Sequence, residues 1–149
     1  MNKILSLFLL ILVVFLQKEV KGQYDMRGKL VLTGVVVNTN SKVLKSNMYV
    51  VLKNDTVMQL MNKDSIKFTL NKESHYEVIF SKRGYKSKMI LVDTRNTGEN
   101  EFGYEMPLKI TLEKGDNSAT KLMPVGSVFY DPETDLYETS PYYVPIEKE

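Results

Sequence analysis

From Lys29 onward the chain carries short runs of β-branched and aromatic residues, broken by Asn, Asp, Gly and Lys clusters at intervals of roughly 8–12 residues. No stretch sustains a helical period. Lys29 to Val37 (KLVLTGVVV) predicts a first strand, with Gly34 inside it as a bulge or a close approach of backbone. Asn38 to Lys42 should turn the chain, because Asn and Ser side chains bond nearby main chain and tolerate left-handed conformations. Between Asn47 and Asn62 two apolar runs flank Lys53, Asn54 and Asp55, the composition of a hairpin. Ser65 to Leu70 alternates, with Ile66, Phe68 and Leu70 on one face and Ser65, Lys67 and Thr69 on the other. Such a period of two marks a half-buried strand. His75 to Phe80 repeats it, with Tyr76, Val78 and Phe80 on the buried side.

Phe80 closes one strand and Met89 to Val92 forms the next, so the basic stretch SKRGYKSK (Ser81 to Lys88) falls at their junction. There Gly84 supplies the positive φ that a hairpin turn demands, and the lysines read as a solvated tip that also opposes edge-to-edge aggregation. A contact with an anion or a glycan is the functional alternative. A polar loop follows from Val92 to Pro107, then an alternating strand through Leu108, Ile110 and Leu112. The remaining tail holds four of the nine tyrosines and four of the five prolines. Each proline fixes φ and removes a donor, so the tail should lie along the body or at a sheet edge, with Gly126 to Tyr130 as its one short strand. The pattern predicts an all-β chain, an antiparallel β-sandwich of about seven strands.

The N-terminus changes the picture. Lys3 precedes an apolar run from Ile4 to Leu16, thirteen residues interrupted only by Ser6. A membrane-spanning helix needs roughly 20 such residues, whereas a secretory signal takes about 7–15. Residues 1–22 are therefore expected to be a signal peptide, cut after Gly22. Removing Lys3, Lys18, Lys21 and Glu19 from 20 Lys+Arg and 18 Asp+Glu leaves 17 of each. A neutral total supplies no general attraction for nucleic acid or acidic lipid. The absence of cysteine excludes disulfides, thiol catalysis, cysteine-ligated metal and lipid attachment through a cysteine. The expected organisation is a signal peptide over 1–22, a β-sandwich over 23–115, and a Pro/Tyr-rich extension over 116–149 packing on or beside it.

With these strands in view, Tyr76-x-Val78-x-Phe80, the Gly84-Tyr85 after a basic turn, and the outgoing Lys86 to Thr94 resemble carboxypeptidase regulatory-like, or transthyretin-like, β-sandwich modules. The loop Asp93-Thr94-Arg95-Asn96 and the segment Pro124 to Asp131 are similar to those of small exported envelope proteins of outer-membrane-bearing bacteria. The likeness spans Lys29 to about Asp131, and its specific part is Tyr76 to Asn96. The turn Asn38 to Ser46 departs from the Gly-x-Pro-Leu-x-Gly pattern of the wider superfamily. The resemblance implies a non-catalytic module.

Chemistry is sparse. His75 is the single histidine, and no serine sits in a Gly-x-Ser-x-Gly elbow. A purine-derivative hydrolase of the transthyretin-like fold uses more than one histidine and ends Tyr-Arg-Gly-Ser, whereas this chain ends PIEKE. Asp131, Glu133 and Asp135 stand at alternate positions, the one candidate set for calcium, but Leu136 occupies the sixth position where an EF-hand loop has glycine. The sequence thus predicts a non-enzymatic, exported binding or assembly module of a bacterial envelope, periplasmic or outer-membrane-associated, without cofactor or catalytic residue. Its partner would be an envelope protein or a glycan, not nucleic acid, and it would touch a membrane only through an uncleaved signal. Candidate contact residues are Lys82, Arg83, Tyr85, Lys86, Lys88 and Arg95, joined by Tyr137, Tyr142 and Tyr143, whose rings suit interfaces that are half apolar and half wet. The alternatives are a carbohydrate-binding module using the tail tyrosines and a hydrolase built on His75.

Overall fold

The computed structural model describes residues 25–116 and 122–141. The expected signal peptide, and Tyr142 and Tyr143, lie outside these described residues. Among the described residues nine strands succeed one another: β1 (Leu30–Asn38), β2 (Ser46–Leu52), β3 (Asp55–Lys63), β4 (Ile66–Leu70), β5 (His75–Ser81), β6 (Lys88–Asp93), β7 (Tyr104–Leu112), β8 (Pro124–Asp131) and β9 (Leu136–Pro141). They build a three-stranded sheet in the order β4-β1-β7 and a six-stranded sheet in the order β3-β2-β5-β6-β8-β9. No helix is present among the described residues, and so none is long and apolar enough to cross a membrane.

The all-β expectation holds, but a purely antiparallel arrangement does not. β1 pairs in parallel with β7, Leu30 opposite Tyr104 through Asn38 opposite Leu112, and β6 pairs in parallel with β8. Both sheets are mixed. The reason lies in long-range packing: β7 and β8 arrive from distant loops and fill the flanks left free beside β1 and β6, a choice that no local pattern encodes.

Local chemistry explains the turns. Lys53 and Asn54 both take positive φ (51° and 71°) between β2 and β3, the two-residue hairpin geometry whose twist matches that of the strands. Asn38 Oδ1 accepts hydrogen bonds from the N–H groups of Asn40 and Lys42, holding the chain that leaves β1. At Gly34 the chain approaches its neighbour closely, since a Cβ there would lie 1.8 Å from the Leu108 carbonyl oxygen.

Alternate residues of both sheets meet in one core. Leu30, Leu32, Val36, Phe68, Leu70, Leu108 and Leu112 from the smaller sheet pack against Met48, Val50, Tyr76, Val78, Phe80, Val92 and Val128 from the larger. Burying each such side chain contributes about 1.5–3 kcal/mol, which is the cohesion a chain without disulfides depends on. Two strands depart from the sequence reading. β7 starts at Tyr104, inside the stretch expected to be loop, because Pro107 is accommodated without loss: Tyr104 N–H donates to Lys29 O, so even-numbered residues of β7 face β1 and the nitrogen of Pro107 faces the open edge. The tail, expected to avoid a central position, places β8 between β6 and β9. Its Pro124 is tolerated because it is the first residue of that strand.

Candidate functional site

Three strands against six leave the flanks of the larger sheet thinly covered. On one flank β3 buries no side chain fully, and only Met58 and Leu60 pack half-buried against the core. On the other, β7 meets the β8–β9 hairpin at Tyr104, which packs on Tyr130 and Tyr137, and beyond that contact a gap separates them. This gap is a cleft of about 400 Å³, lined by Ile90, Met106 to Ile110, Val125 to Val128 and Thr139 to Pro141. Its floor is apolar, with Ile90, Leu108, Ile110 and Val128 buried beneath it. One wall is the unpaired edge of β7, where the main-chain groups of the odd-numbered residues point outward. Glu113 O, the next in that odd series, shows their use: it accepts from Lys86 N–H at 2.8 Å, where the β5–β6 connection crosses the end of β7. The opposite wall is formed by Ser127, Thr139 and Ser140, of which Thr139, paired with Val128, shares the inward face.

The closed end of this cleft is an aromatic knot. Tyr104, Tyr130 and Tyr137 meet pairwise edge to face, with ring centroids 5.5, 5.6 and 5.7 Å apart, the orientation that sets the positive rim of one ring against the negative face of the next. Tyr104 and Tyr130 both donate to Asp135 Oδ1, at 2.7 and 2.6 Å. Asp135 adopts a φ of 56° at the end of the β8–β9 turn, a conformation that Asp tolerates better than most residues. Thr97 Oγ1 donates to Thr94 O at 2.7 Å, so Tyr137 Oη, 2.6 Å away, is the donor to Thr97. Gly98 lies against both phenols, since a Cβ there would stand 2.4 Å from Tyr104 Oη and 2.6 Å from Tyr130 Oη.

Electrostatics follow from these contacts. The Tyr130 phenol, and then that of Tyr104, hold the Asp135 carboxyl below its ordinary value. Burial first, and then the bond to Asp135, push Tyr104 upward. For Tyr130 the bond to Asp135 leads, and for Tyr137 burial does. Neutral phenols and an ionised carboxylate are thus the stable state. Behind the knot Thr94, fully buried, donates to Asn71 O at 2.8 Å and accepts from Ser74 N–H at 3.1 Å, tying the loop after β6 to the loop before β5.

The candidate contact residues are dispersed. Lys82 donates to Lys45 O at 2.7 Å and lies with Arg83 beside the start of β2. Lys86 runs over Gly115, while Lys88 turns to Glu113 at 3.4 Å. Tyr85 is half-buried against the core. The 93–100 loop does not adjoin this tip: the six residues of β6 separate them, a distance of about 17–20 Å. Arg95 at that far end binds Asp93, lowering the Asp93 carboxyl, and the same carboxylate lies 3.8 Å from His75 Nδ1. Tyr137 is buried in the knot and presents no ring to solvent. Of the calcium candidates, Asp131 accepts from Glu133 N–H within its own turn and Asp135 serves the phenols. Among the described residues no group of three or more His, Cys, Asp or Glu is placed to hold a metal ion. The sequence reading missed the knot and the cleft. A usable signal existed in YDPETDLY, where a hairpin turn sets Tyr130 directly opposite Tyr137.

No protein-family model matches the chain, and no curated protein matches it. Solved structures do. A 3-chlorocatechol 1,2-dioxygenase from Rhodococcus opacus 1CP shares 11% identity over 62% of this chain, with a TM-score of 0.41, and a catechol 1,2-dioxygenase from Acinetobacter sp. ADP1 shares 11% over 70%, with a TM-score of 0.42. The chain spans about three-fifths of the length of either, 62% and 60%. These findings correct two expectations. The two solved structures named are dioxygenases and not carboxypeptidase regulatory-like modules, and they are enzymes, against the reading of a non-catalytic envelope module and its glycan-binding alternative, while as dioxygenases they lend nothing to a hydrolase built on His75. At this level of likeness no reaction passes from them to this chain.

Proposed function

We propose that the chain holds a small, elongated, largely apolar molecule in the cleft between β7 and the β8–β9 hairpin. The observation that carries this reading is the uncovered inner face at that flank, apolar at its floor and polar along both walls. Ligand sites commonly combine such a floor with a few placed hydrogen-bonding groups. Met106 to Ile110 spans four residue steps, about 13 Å of extended strand, so the ligand would lie along β7. Its apolar side would rest on Leu108, Ile110 and Val128. Polar groups along one side would meet the main chain of Pro107 and Lys109, and the hydroxyl of Thr139.

Ligand-observed NMR with medium-chain fatty acids, alkyl alcohols and acyl amides tests the reading. Saturable binding is expected in the natural chain and not in Met106→Trp, which fills the cleft, while Glu105→Gln on the outer face binds as before. Mass spectrometry of the recovered probe reads whether it leaves altered. Absence of binding across the panel, or unchanged binding to Met106→Trp, would remove the proposal. We also read residues 1–22 as an export leader on the strength of Lys3 and the Ile4 to Leu16 run. N-terminal sequencing of the protein recovered from cells tests that reading, and a Gln23 terminus is the expected result.

A further inference from the structure

A second concavity, at the end of the larger sheet where β2 starts and β3 and β5 end, is independent of the cleft. It encloses about 300 Å³ and is lined by Lys45, Ser46, Asn47, Asn62, Ser81, Lys82 and Arg83. We propose that it binds a tetrahedral oxyanion, free or carried on a small molecule as a phosphate or sulfate ester.

Three observations support the assignment. Three cationic residues and no acidic one line it, and among the described residues none of the three enters an ion pair, although Lys72, Lys88, Arg27 and Arg95 all do. Like charges gathered without a counter-charge repel one another, and an anion placed among them removes that repulsion. The site is also shaped. The register between β2 and β3 slips between Ser46 and Met48, and Asn62 takes a φ of 53° there, a bulge that bends the strand end and makes room beside it. Asn62 N–H donates to Asn47 Oδ1 at 2.9 Å. With its oxygen committed, the Asn47 amide keeps its amino group as a donor. Finally, Lys82 is anchored, because its ammonium donates to Lys45 O at 2.7 Å and retains two further protons for a ligand. Guanidinium, two ammonium groups and an amide amino group together suit the several acceptor oxygens of a tetrahedral anion.

The test is amide-resolved NMR titration of the full chain with inorganic phosphate and with inorganic sulfate, against sodium chloride at matched ionic strength. Shifts confined to residues 45–47, 62 and 81–83 are expected for both oxyanions and not for chloride. Glucose 6-phosphate and a sulfated monosaccharide form the second arms, and the tighter of the two identifies the source of the group. Lys45→Gln, Lys82→Gln and Arg83→Gln should each weaken binding by about five-fold, with unfolding temperatures unchanged. Lys67→Gln, which removes the same net charge on the exposed face of β4, should bind as the natural chain does. Equal shifts in chloride would overturn the proposal, as would equal weakening by Lys67→Gln or full binding by Arg83→Gln.

Discussion

Replacing Gly98 by alanine is the sharpest probe of the aromatic knot. The new Cβ would stand 2.4 Å from Tyr104 Oη and 2.6 Å from Tyr130 Oη, where ordinary contact begins near 3.4 Å. Each phenol must therefore retreat by about 1 Å, which stretches its bond to Asp135 beyond hydrogen-bonding distance. Tyr104 is buried and packed edge to face with two rings, so it cannot retreat alone. Overpacking of this kind costs about 1–3 kcal/mol. Alanine returns about 0.4–1 kcal/mol by restricting the unfolded chain, and the net is a loss of about 1–2 kcal/mol. For a domain of this size that lowers the unfolding temperature by about 3–12 °C. Near-ultraviolet circular dichroism during heating is the assay, because with no tryptophan in the chain the tyrosines carry much of the signal. An unfolding temperature equal to or above that of the natural chain would refute the packing argument, since it would mean the 93–100 loop yields freely.

Further outcomes follow from neighbouring features. Thr94→Val should cost about 1–3 kcal/mol in urea unfolding, because the Ser74 N–H and the Asn71 carbonyl lose their buried partner. Gly34→Ala should yield no folded protein by amide NMR, since its Cβ would coincide with the Leu108 carbonyl and its φ is 150°. Asp135 titrates below its ordinary value when folded, so stability should fall as pH drops below about 3.8 towards the lowered folded value, and Asp135→Asn should flatten that acid limb of a pH–stability curve. Conversely Tyr104, Tyr130 and Tyr137 are raised, and stability should hold up to about pH 10 and decline above it as the unfolded chain ionises first.

Where one face of a strand is buried and the other solvated, the sequence carried its own answer. Ile66, Phe68 and Leu70, and Tyr76, Val78 and Phe80, stand where their alternation puts them, and Gly34 makes the close approach expected of it. The basic stretch also sits at a strand junction, with Gly84 at a φ of 80°. What could not be read was partnership between distant segments. Tyr104 to Pro107 looks like loop because it closes a polar stretch containing Gly98 and Gly103, and only the pairing with β1 reveals it as strand, with the Pro107 nitrogen facing an open edge. The knot draws Gly98, Tyr104, Tyr130, Asp135 and Tyr137 from three stretches, and the cleft exists only because one sheet is narrower than the other. Lys45 and Asn62 joined Lys82 and Arg83 through sheet order, which spacing along the chain does not disclose.

The parallel ladder between the first and seventh strands has a kinetic side. β1 is the middle strand of its sheet, yet residues 104–112 must be synthesised before it can be flanked on both sides. A chain made amino end first therefore has β1 without either neighbour until residue 70, and flanked by β4 alone until residue 112. Closing so large a loop makes assembly slow relative to helical chains of equal length, and any factor that shields that nascent strand would raise the yield of folded molecules.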